Sequence, residues 1–225
     1  MLINLDIYGK IIGFGAKLDG NIAARVTSAD CRGAACTSDD IFALCMVASD
    51  PMAYIDQYGC IWIDVKGSLD YFSDGRIYKI GDTRFDYFSN GRLYMIGSTD
   101  FDYYSDGRIY KIGYSTLDYY SSGKIYTVAG NCFQYYSDGR ISRMGGVGFD
   151  YYSDGRIMRI YGCTVDYFST GTVGRIGYTS FDYNSNGYPS RVGYSSIDYF
   201  SNGKIYKLGD NYFDYFSDGK LYSIK

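Results

Sequence analysis

From Leu69 to Lys225 the sequence is one 16-residue phrase repeated ten times without insertion. The copies open at Leu69, Phe85, Phe101, Leu117, Phe133, Phe149, Val165, Phe181, Ile197 and Phe213. The clearest copy runs Phe101-Asp102-Tyr103-Tyr104-Ser105-Asp106-Gly107-Arg108-Ile109-Tyr110-Lys111-Ile112-Gly113, followed by three variable residues. A fixed period of this kind describes stacked, near-identical supersecondary units rather than a globular fold built around a catalytic cleft.

Within the phrase, numbered here as slots 1 to 16, slot 7 is glycine in every copy. Ser-Asp-Gly-Arg or Ser-Asn-Gly-Lys in slots 5–8 is a hairpin signal, because glycine supplies the positive φ the turn requires. A two-residue loop at slots 6 and 7 would set Tyr104 opposite Ile109, Tyr103 opposite Tyr110, Asp102 opposite Lys111 and Phe101 opposite Ile112. Aromatic and opposite-charge pairs across antiparallel strands each stabilise by roughly 0.2–1 kcal/mol. A four-residue loop at slots 13–16 would also bring Lys111 opposite Asp118 of the next hairpin. Slots 1, 3, 10 and 12 then share one face, and slots 2, 4, 9 and 11 the other. The expected fold is all-β: tandem 16-residue hairpins in a long antiparallel meander over residues 69–225, coiled into a spiral or shell. The alternative is a parallel β-solenoid, which would stack Asp70, Asp86, Asp102 and Asp118 about 4.8 Å apart, like charge on like charge. Twenty strands give roughly 95 Å of sheet, and open sheets seldom pass ~10 strands without curling. Either twist or a partner must cover the aromatic face.

Composition changes at residue 68. Residues 1–68 hold five basic and eight acidic side chains and the repeats hold 17 of each, so the net charge of −3 lies in the leading segment. A neutral array is a poor match for nucleic acid, whose phosphates demand a basic surplus. In residues 1–68, Leu5–Ile12 and Ile55–Ile63 read as degenerate hairpins. Ser38 as an N-cap, Asp39 and Asp40 in a first turn, and the apolar run to Val47 predict one short helix at about 38–47. This segment is expected to be an α/β cap over the first strands, and Lys220 and Lys225 to discourage pairing at the last one.

The run Tyr-x-Ser-Asp-Gly-Arg-Ile resembles the tyrosine-aspartate repeats of RHS proteins and teneurins, with Tyr103, Gly107, Arg108 and Ile109 on the shared core. That resemblance implies tandem hairpins coiled into a hollow β-shell. Asp-Tyr-Phe-Ser-Asp-Gly-Lys at 214–220 is similar to the glucan- and choline-binding cell-wall repeats, whose ligand boxes depend on tryptophan; Trp62, the one tryptophan, lies outside the array. MORN-type repeats share the hairpin-ribbon idea.

The chain has no histidine, which removes Ser-His and Cys-His nucleophile pairs and His-based metal sites. Its aspartates recur as cross-strand partners, and its glycine-rich turns recur as hairpin geometry. No enzymatic activity, cofactor or metal is expected. Of the six cysteines, Cys31 and Cys36 could pair, although buried or free thiols fit the spacing better. With no apolar run of membrane-spanning length and no signal-peptide pattern, a cytoplasmic location without a membrane span is expected.

Slot 10 is tyrosine in the first four and last two copies but Ser142, Met158, Gly174 and Ser190 in between. Nearby, slot 8 becomes Thr172 and Tyr188, slot 9 becomes Pro189 and slot 4 becomes Asn184. Drift, or packing against a neighbouring segment, would account for this. The sharper reading is a groove floored by Ser142, Met158, Gly174 and Ser190 and walled by Tyr135, Tyr151, Tyr167 and Tyr183, suited to protein segments or sugars. The expected function is a non-enzymatic scaffold offering a tyrosine-rich sheet to a protein partner or to self-assembly. The alternative is a carbohydrate- or cell-wall-binding module.

Overall fold

A computed structural model describes residues 1–18 and 20–225. Each phrase folds back on itself as an antiparallel hairpin, with Phe101 opposite Ile112 and Asp102 opposite Lys111. The turn differs from the two-residue loop expected. Tyr104 N–H donates to Arg108 O, and Gly107 N–H donates to Tyr104 O, so slots 5–7 form a three-residue loop with Gly107 at φ +94°. The Asp106 carboxylate accepts the Arg108 N–H, closing the turn from the side chain. That extra loop residue sets Tyr103 opposite Ile109, and Tyr110 is left over as a bulge before the register recovers at Lys111.

The bulge reassigns the faces. Two consecutive residues, slots 10 and 11, now point outward, while slot 9 joins slots 1 and 12 inside: Phe101, Ile109 and Ile112 are buried and Tyr110 is exposed. The second turn is also tighter than expected. Ile112 pairs with Ser115 and Lys111 with Thr116 rather than with Asp118. Gly113 at φ +55° takes the first turn position, the sign that a hairpin turn of the II′ kind demands. Acid does face base within hairpins: Arg175 reaches Asp166 at 2.6 Å, and Lys79 lies opposite Asp70 in register.

The meander closes. The last strand, Leu221–Ile224, pairs with the first of the array, Gly67–Tyr71, through Ser223–Ser68 and Ile224–Gly67, and twenty strands form one barrel. The interactions that join successive hairpins also join the last to the first. Tyr71 Oη donates to Leu221 O at 2.7 Å, as Tyr87 does to Ile77 O, and Lys220 stacks over the Tyr71 ring. Lys220 and Lys225 therefore do not guard a free edge. The outer wall carries rows of Asp, Lys and Arg, opposite to the apolar outer band of barrels that span a membrane. Among the described residues no helix is long and apolar enough to cross a membrane.

The leading segment lies within the ring, where its sheet covers the ring's inner face. Strands β1 (Leu2–Leu5), β2 (Ile11–Lys17), β3 (Ile22–Arg25), β4 (Ile41–Ser49), β5 (Met52–Asp56) and β6 (Ile61–Asp64) close into a second, smaller barrel. The helix expected at 38–47 is absent: Ser38–Asp40 is a single 3-10 turn and β4 begins at once after it. The N-cap is Thr37 rather than Ser38, and Thr37 and Asp40 form a capping box that starts one turn only. Strand β4 is apolar on both faces because both faces are buried. Phe42 and Leu44 point into the small barrel with Leu2, Ala23, Tyr54 and Trp62, while Ile41, Ala43 and Cys45 belong to the layer facing the ring. Gly15 leaves room for Trp62; a Cβ there would lie 2.6 Å from its ring.

Geometry relates the two barrels. Twenty strands at the usual spacing close on a radius of roughly 15 Å, and the ~10 Å between packed sheets leaves roughly 5 Å inside. That is about the radius of six closed strands at the same spacing. The intervening layer is one continuous core of slots 1, 9 and 12 of the repeats against the outward side chains of the inner strands. Phe14 meets Phe213 edge-on at 4.9 Å. Each barrel is the other's cover.

At one end of the inner barrel Asp56 is fully buried. Burial raises its carboxyl to about 6, against the lowering effect of hydrogen bonds from Trp62 Nε1 at 2.7 Å and from the Cys60 and Tyr58 N–H groups. The folded protein therefore holds a proton that the unfolded chain, with an ordinary value near 3.9, releases. Stability from this group is fully present below about pH 4 and falls as pH rises to about 6, by about 3 kcal/mol in all. Urea titrations followed by Trp62 fluorescence at pH 4, 5, 6 and 7 are expected to show this fall relative to Asp56→Asn, whose side chain has no proton to lose. Equal pH slopes for the two proteins would refute it.

Candidate functional site

Two features of the ring present chemistry to the outside: a belt of aromatic rings around the wall, and a rim of cations at the Ser-Asp-Gly end. The belt is built by the bulge. In slot 4 and slot 10 of one hairpin two rings meet edge to face, as in Phe88–Tyr94 at 5.0 Å, Tyr104–Tyr110 at 5.1 Å and Tyr120–Tyr126 at 4.9 Å. Tyr94, Tyr110, Tyr126, Tyr206 and Tyr222 are each 40–45% exposed. Among the described residues the hydroxyls of these five make no hydrogen bond. At the opposite rim Tyr114, Tyr178 and Tyr194 stand fully exposed at the tips of the second turns.

The slot-3 tyrosines lie elsewhere. Tyr135 Oη donates to Ile125 O at 2.9 Å, Tyr167 to Ile157 O at 2.8 Å and Tyr183 to Val173 O at 2.8 Å, each tying one hairpin to the one before it. Their rings pack on the inner core, as does that of Tyr151. Burial pushes the Tyr135 and Tyr167 hydroxyls up to about 12 and those of Tyr151 and Tyr183 well above the ordinary tyrosine value. Over three of these rings lies the slot-8 cation of the preceding hairpin: Arg140 over Tyr151 at 4.5 Å, Arg156 over Tyr167 at 4.7 Å and Lys124 over Tyr135 at 4.9 Å; Tyr183 has Thr172 at that slot instead. The same cation lies against the next turn glycine: Lys124 Nζ donates to Gly139 O, and a Cβ at Gly107 would collide with the Arg92 guanidinium.

Ser142, Met158, Gly174 and Ser190 are partly exposed on the outer wall, and a Cβ at Gly174 would touch the slot-4 ring of Phe168. The expected floor and walls thus lie on opposite faces, and the groove drawn from the sequence is not assembled. The cause is the bulge, which moves slot 10 across the sheet while slot 3 stays.

Two of the other departures in those repeats, Tyr188 and Pro189, have a direct cause. The loop leading from β3 to the 3-10 turn emerges there and docks on the ring. Gly33 N–H donates to Gly203 O, Val173 N–H to Cys36 O and Ile205 N–H to Cys31 O. Gly33 lies against Tyr188, with a would-be Cβ 2.6 Å from the ring, and Tyr188 stacks on Tyr199 where other repeats place a cation. Pro189 sits where a neighbouring repeat spends its slot-9 N–H on this loop. Cys31 and Cys36 are separately buried, and burial raises the Cys31 thiol to about 11.

A row of arginines was missed from the sequence. Slot 11 is Arg143, Arg159, Arg175 and Arg191 in the same four repeats that lose the slot-10 ring. Side by side on the outer wall, they replace an aromatic belt by a guanidinium row, partly paired with Asp150, Asp166 and Asp182. The coincidence of the two substitutions was legible; that slots 10 and 11 share a face was not. No family model matches the chain, and no curated protein matches it.

Proposed function

We propose that this protein is a non-enzymatic scaffold that binds a protein partner, or assembles, through the aromatic belt of its outer wall. The observation that carries the reading is the pairing of half-exposed slot-4 and slot-10 rings in the first four and the last two hairpins. Rigid tyrosines bury contact area at little cost in side-chain entropy, and their free hydroxyls supply polar contacts. The ring beneath them is closed and filled, so the belt is held on a stiff support. Aspartates in slot 2 and, in three of these six hairpins, the slot-11 lysines Lys79, Lys111 and Lys207 border the rings, as a polar rim borders the centre of an interface.

Size analysis of the protein from its native source, and of complexes re-formed with the purified chain, tests the reading. Alanine at Tyr94, Tyr110 and Tyr126 together is expected to abolish the larger species while leaving the chain folded, with a single cooperative unfolding transition, since each ring is half exposed and lies outside the shared core. Binding undiminished in the triple variant would overturn it. A glycan array run in parallel separates the carbohydrate reading, for which the same rings would be the contact surface.

A further inference from the structure

At the cation rim a cleft of about 890 Å³ opens between the ring and the loops of the inner barrel. One wall is formed by the slot-8 side chains of four successive hairpins, Arg92, Arg108, Lys124 and Arg140; the other includes Tyr58 and Asp39. The volume is that of a site for a small organic ligand.

The charges on the ring wall are unequal because the repeat is imperfect there. Where slot 6 is aspartate, it holds the slot-8 arginine: Asp106 with Arg108 and Asp138 with Arg140, both at 2.6 Å. In the two alternating repeats slot 6 is Asn90 and Ser122, so Arg92 and Lys124 have no carboxylate partner among the described residues. Arg108 Nη1 and Arg140 Nη1 are also buried without an acceptor, and they account for two of only four such side-chain atoms among the described residues. Counting Asp39, the cleft holds four cations and three carboxylates. A second cleft on the same rim, about 600 Å³, holds Lys10, Arg76, Lys204 and Lys220 against Asp6, Asp30, Asp74 and Asp218, and is balanced. Only the larger one has a surplus, and a cleft with low-dielectric walls concentrates the field of such a surplus.

We propose that the larger cleft binds a small, multiply charged phosphate compound. Equivalent side chains on successive hairpins are spaced by two strands, roughly 9–10 Å, so neighbouring cations are matched by a chain of linked phosphates rather than by a single ion. Three arginines and one lysine line the wall, combining forked donors with a point charge, and both suit phosphate oxygens. The exposed Tyr58 ring stands across the cleft, where an organic group attached to the phosphates would rest.

The test restores the residue that the repeat ordinarily carries. Asn90→Asp with Ser122→Asp places the usual acid beside Arg92 and Lys124, a change the fold accommodates at five other slot-6 positions. Titration calorimetry of the full chain with tripolyphosphate is expected to show saturable binding, about tenfold weaker in this double variant because each added carboxylate opposes the ligand's charge. Lys207→Met, on the outer wall, is expected to leave the affinity unchanged. Inorganic phosphate is expected to bind at least about tenfold more weakly than tripolyphosphate, since it reaches one cation at a time. Absence of saturable tripolyphosphate binding would overturn the proposal. So would equal affinity in the double variant, or equal weakening in Lys207→Met.

Discussion

Removal of residues 211–225 is expected to destroy the cooperative fold of the whole chain, not merely to shorten the ring. The deleted hairpin buries Phe213, Leu221 and Ile224 completely or nearly so. Fully burying three such side chains contributes about 5–9 kcal/mol, comparable to the whole stability of an ordinary domain. The loss is compounded by geometry. Nine hairpins would close on a radius of roughly 14 Å, too small by more than 1 Å to pack at sheet spacing around the inner barrel. The ring would stay open, with the strands Gly67–Tyr71 and Ile205–Leu208 as unpaired edges and Phe14 uncovered. Dye binding to exposed apolar surface and a broad, non-cooperative urea transition are expected. A sharp, native-like transition for the shortened chain would show that closure is not required.

The second large effect is at the contact between the barrels. Phe14→Ala is expected to cost about 3–5 kcal/mol, the range for emptying a large aromatic site in a rigid core. Phe14 is fully buried, and its ring lies edge-on to that of Phe213 across the layer joining inner strand to outer hairpin. In a double-mutant cycle with Phe213→Ala, the double variant is expected to lose about 0.5–1.5 kcal/mol less than the sum of the two single losses, the coupling of such a pair. Trp62 in the inner barrel and the tyrosines of the ring should report one transition, at the same denaturant concentration, in wild type and variant alike. Two separated transitions would mean that the barrels fold independently, contrary to their shared core.

The hairpin and its pairing were legible because they are local. Asp102 meets Lys111 and Phe101 meets Ile112 as the spacing from Gly107 implied, even though the loop is one residue longer than expected. The longer loop and the bulge at Tyr110 cancel beyond that point, so the outer half of each hairpin was right while the faces of slots 9 and 10 were exchanged. The candidate groove inherited that exchange. A residue-by-residue alternation carries no sign of a bulge, because Ile109 and Tyr110 are both suited to either face of a strand. The clustered departures at Thr172, Asn184, Tyr188 and Pro189 were visible, and packing against another segment was among their readings. The identity of that segment, the loop around Gly33, lay some 150 residues away in the chain.

The run Ile41–Val47 shows the same limit from the other side. A strand buried on both faces loses the polar alternation that marks strands, and seven apolar residues after a capping box then look like a helix.

By itself the amino-acid sequence determined the unit: a 16-residue hairpin with glycine at its turn, acid opposite base, and too many strands for a flat open sheet. Those features depend on neighbours a few residues apart, and ten copies repeat the message. Tertiary structure alone decided that the ribbon closes, that ten hairpins suffice, and that the leading segment lies inside. Closure depends on the distance between two packed sheets and on the size of what they enclose, quantities no single repeat encodes.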